Sequence, residues 1–363
     1  MAVNRPANLL LRPVPEALAL IGLTLLDAAR LAAGRLRDPD DKEALHDFRV
    51  AVRRLRTLLR SFRNDLDDIV SKKLQRRLRA LTRATGAGRD AEVQLAWLKD
   101  HRGELGGRAR PGQAWFIDRL EQRRDGSYRE IRRELPATFR ELDRRLRRAL
   151  NTPLTQAKGE GSVFAATASR ILREHALELE QELDTARTAR DPEAVHAARI
   201  AVKRLRYLLE PLANDAAGAA PAAVVAGVPA LIEQLKQLQD LLGELHDVQV
   251  LGVDLGEAVA DAAAERARSL HAAALGSPGR ARSQRPRRPA PASAGPLALA
   301  KLAATWEERL HTQLVVEWLP ALPLLLKDVA RLGATIGAQP VPSPAARRAR
   351  SALPIRYTPP AQV

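Results

Sequence analysis

The sequence predicts an all-α protein made by duplication of one helical unit. Three observations lead there. Ala, Leu, Arg and Glu dominate the segments between turn signals, and all four are strong helix formers. No segment sustains the period-2 alternation of β-branched residues that a strand requires. An 18-residue stretch near the start returns 150 residues later in the same register. With 363 residues, 45% of them hydrophobic, the chain can bury at least one sizeable core.

Helical periodicity marks 15–36, 41–64, 68–86, 89–101 and 112–150, the last with a bend expected at Pro136. It continues over 162–188, 192–214, 225–243, 246–271 and 297–333. Asp38-Pro39-Asp40 and Asp191-Pro192-Glu193 each place an acidic residue before a helix, where it accepts from unpaired backbone N–H groups. Residues 276–296 are rich in Pro, Ser, Gly and Arg and read as a disordered insert. Residues 337–363, with Arg347, Arg348 and Arg350, read as a flexible basic tail.

Charge narrows the function. Lys and Arg number 59 against 43 Asp and Glu, a formal net charge of +16. Residues 1–150 hold 34 basic and 21 acidic residues, so the cationic field belongs mainly to the first half. Such a surface attracts polyanions. Aromatic residues are only 3% of the chain, too few for the stacking platforms that readers of unpaired bases need. The absence of Cys excludes disulfides and thiolate metal sites. The apolar stretch 18–26 is short, runs into Asp27 and Arg30 and lacks a cleavage pattern, so neither a leader nor a membrane segment is expected.

The repeat carries most of the information. LHDFRVAVRRLRTLLRSF (45–62) and VHAARIAVKRLRYLLEPL (195–212) are identical at nine of 18 positions. Downstream, LRALTRATGAGRDAEV (78–93) aligns with LKQLQDLLGELHDVQV (235–250), sharing Gly86/Gly243, Asp90/Asp247 and Val93/Val250. On a helical wheel His46, Arg49, Arg53, Arg56 and Arg60 fall within about 80° of one another, opposite an apolar face. His196, Arg199, Lys203 and Arg206 repeat the row, with Tyr207 at its edge. Glu210 stands where Arg60 stands, which weakens the second row by two charges. Lys72, Arg76, Arg79 and Arg83 form a further narrow stripe, of which the repeat keeps only Lys236. Like charges three and four residues apart destabilise a helix by about 0.2–0.5 kcal/mol per pair, so a first row without a carboxylate, repeated up to Arg206 in the second, points to an anionic ligand. Asp90, Asp247 and the four Trp residues are read as structural.

The doubled His-x-x-Arg-Val/Ile-x-x-Arg/Lys-Arg-x-Arg, with Leu-Gly-Glu-Leu-His-Asp (242–247) and Gly-Ala-Gly-Arg-Asp (86–90), resembles the CHAD family, the conserved histidine α-helical domain. The resemblance covers about residues 8–335. It implies two repeated four-helix bundles of long helices, 8–158 and 159–335, related by pseudo-two-fold symmetry. It also implies a basic groove or pore that binds inorganic polyphosphate without catalysis. The site carries over to His46, Arg49, Arg53, Arg54 and Arg56, and to His196, Arg199, Lys203, Arg204 and Arg206. Arg60, Lys72, Arg76, Arg79, Arg83, Tyr207 and Lys236 join them from the wheel. Arg54 and Arg204 lie off the main row, where each has the alternative of serving a carboxylate. A guanidinium fork suits phosphate oxygens and stays charged at cellular pH.

Rival readings make different demands. No Walker loop, Ser-His-Asp arrangement or His-Glu-x-x-His appears, and Glu178, Glu180 and Glu182 lack the following Lys of a triphosphate-hydrolysing tunnel. No cofactor and no metal are expected, since both histidines sit among cations. Nonspecific nucleic-acid binding is the stronger alternative, as charge alone would support it. An accessory role beside a phosphate-metabolising enzyme, or on polyphosphate granules with other granule proteins, fits the same chemistry. A cytoplasmic location is the expectation.

Overall fold

A computed structural model describes residues 8–38, 40–41, 43–66, 68–104, 110–156, 162–189, 191–214, 222–275 and 294–338. Among these residues all regular structure is helical: α1 (Val14–Arg35), α2 (Glu43–Ser61), α3 (Arg63–Leu66), α4 (Lys72–Ala84), α5 (Gly86–Asp100), α6 (Arg110–Gln156), α7 (Phe164–Ala189), α8 (Pro192–Asn214), α9 (Ala222–Leu275), α10 (Ala294–Gln313) and α11 (Leu319–Gly337). The all-α expectation therefore holds. Asp41 caps α2, its Oδ1 accepting from the N–H groups of Glu43 (3.1 Å) and Ala44 (3.0 Å). Asp191 does the same for α8 through the N–H of Glu193, at 3.2 Å.

Several boundaries differ from expectation for local reasons. α6 runs unbroken through Pro136 and Pro153. The missing hydrogen bond of Pro136 is offset by burial of Ile131, Leu135, Phe139 and Leu142 around it. The helices expected at 225–243 and 246–271 are one helix, because Gly243 costs only about 1 kcal/mol in a helix interior. The segment 297–333 is instead interrupted by a wide turn at Leu314–Trp318. There Pro320 and Pro323 cannot donate to the preceding turn. α10 takes in residues 294–296 of the proposed insert, and α11 ends at Gly337. The rest of the insert, 276–293, and the tail residues 339–363 lie outside the described residues.

Contacts divide the chain into two compact units, Met1–Gly86 with Glu130–Leu242 and Val315–Val363, and Ala87–Arg129 with Gly243–Leu314. Each unit takes residues from both halves of the sequence, and the cuts after Gly86 and before Gly243 fall at the shared glycine of the downstream repeat. In the second unit Asp254 accepts from Gln94 Nε2 (2.8 Å) and Arg123 (2.7 Å), and His101 stacks on Trp97 with centroids 4.2 Å apart. Gly112 permits a backbone approach there: a Cβ on it would stand 2.6 Å from the Gly295 Cα.

The first unit contains the duplicated motif. α1 packs on α2, α7 on α8 and α11, and α2 also meets α4 and α8. α1 and α7 start 150 residues apart, so the repeat extends to helices whose sequences barely match. Just before them Pro13 pairs with Val163. The Val14 N–H donates to Ser162 O (3.2 Å) and the Phe164 N–H to Arg12 O (2.9 Å). A shift of 150 exchanges these two bonds, the reciprocity that a two-fold relation produces. Both motif copies bury the same positions: Ala51/Ala201, Val52/Val202, Leu55/Leu205, Leu58/Leu208 and Leu59/Leu209. By length and composition α1 alone among the described helices could cross a membrane, yet 67% of its apolar window is buried inside the protein.

The equal burial of Leu55 and Leu205 yields a direct expectation. Leu55→Ala and Leu205→Ala should each lower unfolding free energy by about 2–5 kcal/mol in chemical denaturation. A surface-exposed motif would give almost no change.

Candidate functional site: a two-helix cationic cluster

Every residue of the basic rows belongs to the first unit. α2 is pinned by its apolar face, with Phe48 buried edge-on against Phe139 at 5.0 Å and Leu55 fully enclosed. The opposite face therefore has one orientation available. It presents His46 and Arg60 exposed and Arg49, Arg53 and Arg56 half-buried. α4 places Lys72, Arg76, Arg79 and Arg83 on its exposed side, with Leu78 and Leu81 buried.

The two helices converge at Arg56. Its guanidinium is held below the usual arginine value, first by burial and then by Arg79, Arg53, Arg60 and Arg83. Among the described residues, none of these five guanidinium groups makes a hydrogen bond or ion pair with a protein acceptor. Positive charge is thus concentrated where α2 and α4 meet. Arg49 is anchored differently. Its Nη1 donates to the Thr85 hydroxyl at 2.9 Å and to the Thr85 carbonyl, at the junction where α4 gives way to α5. Leu242 occupies the position of Thr85 in the second copy, inside the unbroken α9.

The second row is neutralised from within. Arg206 pairs with Glu210 at 3.0 Å, donates to Gln239 Oε1 at 3.1 Å and lies 4.8 Å over the Tyr207 ring. Arg54 approaches the same carboxylate at 2.8 Å and the same ring at 5.5 Å. Tyr207 is 94% buried as a result, beneath two guanidinium groups. Lys236 is exposed, 3.9 Å from Glu233. His196 is pushed below the usual imidazole value by partial burial, then by Arg199 and Lys203. Glu210 is thus more than a missing charge: it reaches across to the first copy and engages Arg54.

Arg204, the counterpart of Arg54, takes the carboxylate alternative by another route. It bonds to Glu178 and also feels Arg60. Glu178 in turn lies 2.6 Å from His175 Nδ1, and His175 Nε2 lies 2.9 Å from Ser61 Oγ. Sequence reasoning missed this chain, because Ser61 and His175 are 114 residues apart and only their approach connects them.

A second basic surface was also missed. Ser71, Lys73, Arg77, Arg145, Arg148 and Thr152 line a cleft of about 400 Å³ on another flank of α4. Along α6, Glu141 engages Arg144 and Arg145, and Asp143 engages Arg147, while Arg148 has no such partner among the described residues. The i, i+4 spacing of Lys73 and Arg77 was the available signal. An apolar cavity of about 220 Å³ lies between the copies' helices, with Leu25, Ala28, Arg54, Tyr207, Glu210 and Pro211 on its wall. Of the two rows, only the end of the second, Tyr207 and Glu210, reaches either cavity.

The fold is similar to the crystal structure of the CHAD domain from the plant Ricinus communis. The TM-score is 0.56 at 19% identity, over 94% of this chain and 98% of that one. No curated protein sequence matches the chain. The family model of the CHAD domain matches residues 21–256, and the chain belongs to the CHAD family.

Proposed function

We propose that the chain is a noncatalytic binder of inorganic polyphosphate, cytoplasmic and associated with polyphosphate granules. The observation that carries this reading is the cluster around Arg56, where α2 and α4 bring together five guanidinium groups that, among the described residues, make no ion pair or hydrogen bond with a protein acceptor. Polyphosphate is a flexible line of anionic oxygens that needs neither base stacking nor a fixed shape, and guanidinium forks match its oxygens. The ligand runs along His46, Arg49, Arg53, Arg56 and Arg60 with Lys72, Arg76, Arg79 and Arg83. His196, Arg199 and Lys203 extend the surface, whereas Arg54, Arg204 and Arg206 are held by Glu210 and Glu178. The exchanged hydrogen bonds beside Pro13 and Val163 support two related helical halves, 8–158 and 159–335, about a pseudo-two-fold axis.

Titration with polyphosphate of graded length, at several salt concentrations and with duplex DNA as competitor, tests the reading. Polyphosphate should displace DNA and resist displacement by it; the reverse would favour the nucleic-acid alternative. Arg53→Glu, Arg56→Glu and Arg79→Glu together should weaken binding by about 10²-fold or more at low salt and flatten its salt dependence. Helix content in circular dichroism should stay as it was. Glu210→Gln should do the opposite, tightening binding about two- to fivefold, because a partly exposed ion pair is worth up to about 1 kcal/mol. His196 is neutral in the free chain at neutral pH, and a bound polyanion favours its charged form. Binding therefore takes up a proton, and affinity should rise as pH falls toward and below about 6.5. Titrations in matched buffers check the sign, and His196→Gln should remove that component.

A further inference from the structure

Ser61, His175 and Glu178 stand in the order of nucleophile, base and orienting acid. His175 Nε2 is 2.9 Å from Ser61 Oγ and Nδ1 is 2.6 Å from Glu178 Oε2. The hydrogen bond from His175, with Arg204 and Arg60 nearby, holds the Glu178 carboxyl below its usual range against the effect of burial, so it is anionic at neutral pH. An anionic partner keeps the ring proton on Nδ1. Nε2 then faces the Ser61 hydroxyl, the geometry by which a base activates a serine nucleophile.

The position of the chain of bonds argues against a purely packing role. A shift of 150 carries Ser61, His175 and Glu178 onto Pro211, Leu25 and Ala28, which border the apolar cavity in the other copy. The counterpart positions thus carry none of the three polar groups. The polar version lies where the cationic row ends. Arg60 directly precedes Ser61 and acts electrostatically on both Glu178 and Arg204. Ser61 itself is half-buried rather than enclosed.

We propose that Ser61 is a nucleophile that accepts one phosphoryl group from a phosphoanhydride held on the adjoining basic row. This rests on the polyphosphate reading above. Ser61 Oγ forms a bond to phosphorus while the bond from that phosphorus to the bridging oxygen breaks. The electron pair leaves with that oxygen on the shortened chain. The hydroxyl proton passes to His175 Nε2 and from there to the departing phosphate, while Glu178 keeps the Nδ1 proton in place. Arg60 supplies positive charge beside the transferring group. The product is phosphoserine at position 61, formed once per chain, so the step is a self-modification without turnover.

The test incubates the full chain with long-chain inorganic polyphosphate. Retention of the polymer and the mass and position of any added phosphoryl group are measured in the same samples. The expected result is a single phosphoryl group on Ser61, absent in Ser61→Ala. Its rate should fall about 10²-fold or more in His175→Gln, with retention unchanged in both variants. Glu178 acts as a positioning residue, so Glu178→Asp should recover part of the rate lost in Glu178→Gln. Retention without phosphoserine at 61, modification at another residue, or a rate indifferent to His175→Gln overturns this inference alone. Loss of retention by the unaltered chain overturns the reading beneath it, and this inference with it.

Discussion

The first unit depends on one constraint: guanidinium groups that repel one another are held together because their helices have no freedom to rotate away. The apolar back of α2, with Phe48, Val52, Leu55 and Leu59 enclosed, fixes the azimuth of its cationic face. Each buried side chain of that size contributes about 1.5–3 kcal/mol, well above the few tenths lost per like-charged neighbour. The core can therefore carry the repulsion. On the proposed reading, a polyanion would meet a surface already arranged for it and would not have to order long side chains from scratch.

The same constraint explains how unevenly the two motif copies behave. Their apolar positions are buried alike, but their cations are not partnered alike. In the first copy Arg56 is surrounded by like charge; in the second Arg206 is shared between Glu210, Gln239 and the Tyr207 ring. Glu210 also holds Arg54, so one carboxylate quiets a guanidinium in each half. The cationic field is thereby concentrated on α2 and α4 rather than divided equally.

Periodicity and repetition were enough to read helices and rows from sequence, because both are local properties of a 3.6-residue turn. The bounds of α8 and the opposition of Arg53 to Leu55 needed nothing more. Partners were not legible. Thr85 receives Arg49 from 36 residues away, and Glu178 reaches Arg204 from a helix with no visible motif. The merging of two expected helices into α9 escaped notice because Gly243 is tolerated where its mate Gly86 follows a break. The Lys73–Arg77 cleft was passed over since Arg145 and Arg148, which complete it, belong to a helix that looks charge-balanced in sequence.

The bridge between Pro13 and Val163 joins two residues that are each other's counterparts. A pair of identical, unlinked halves associating in that way would carry the same residue at positions 60 and 210. Arg at both would leave Arg54 and Arg204 facing like charge, and Glu at both would strip a cation from each row. Joining the halves in one polypeptide removes that obligation. Arg60 can extend one row while Glu210 quenches the other, an asymmetry open only to a chain that encodes the two copies separately.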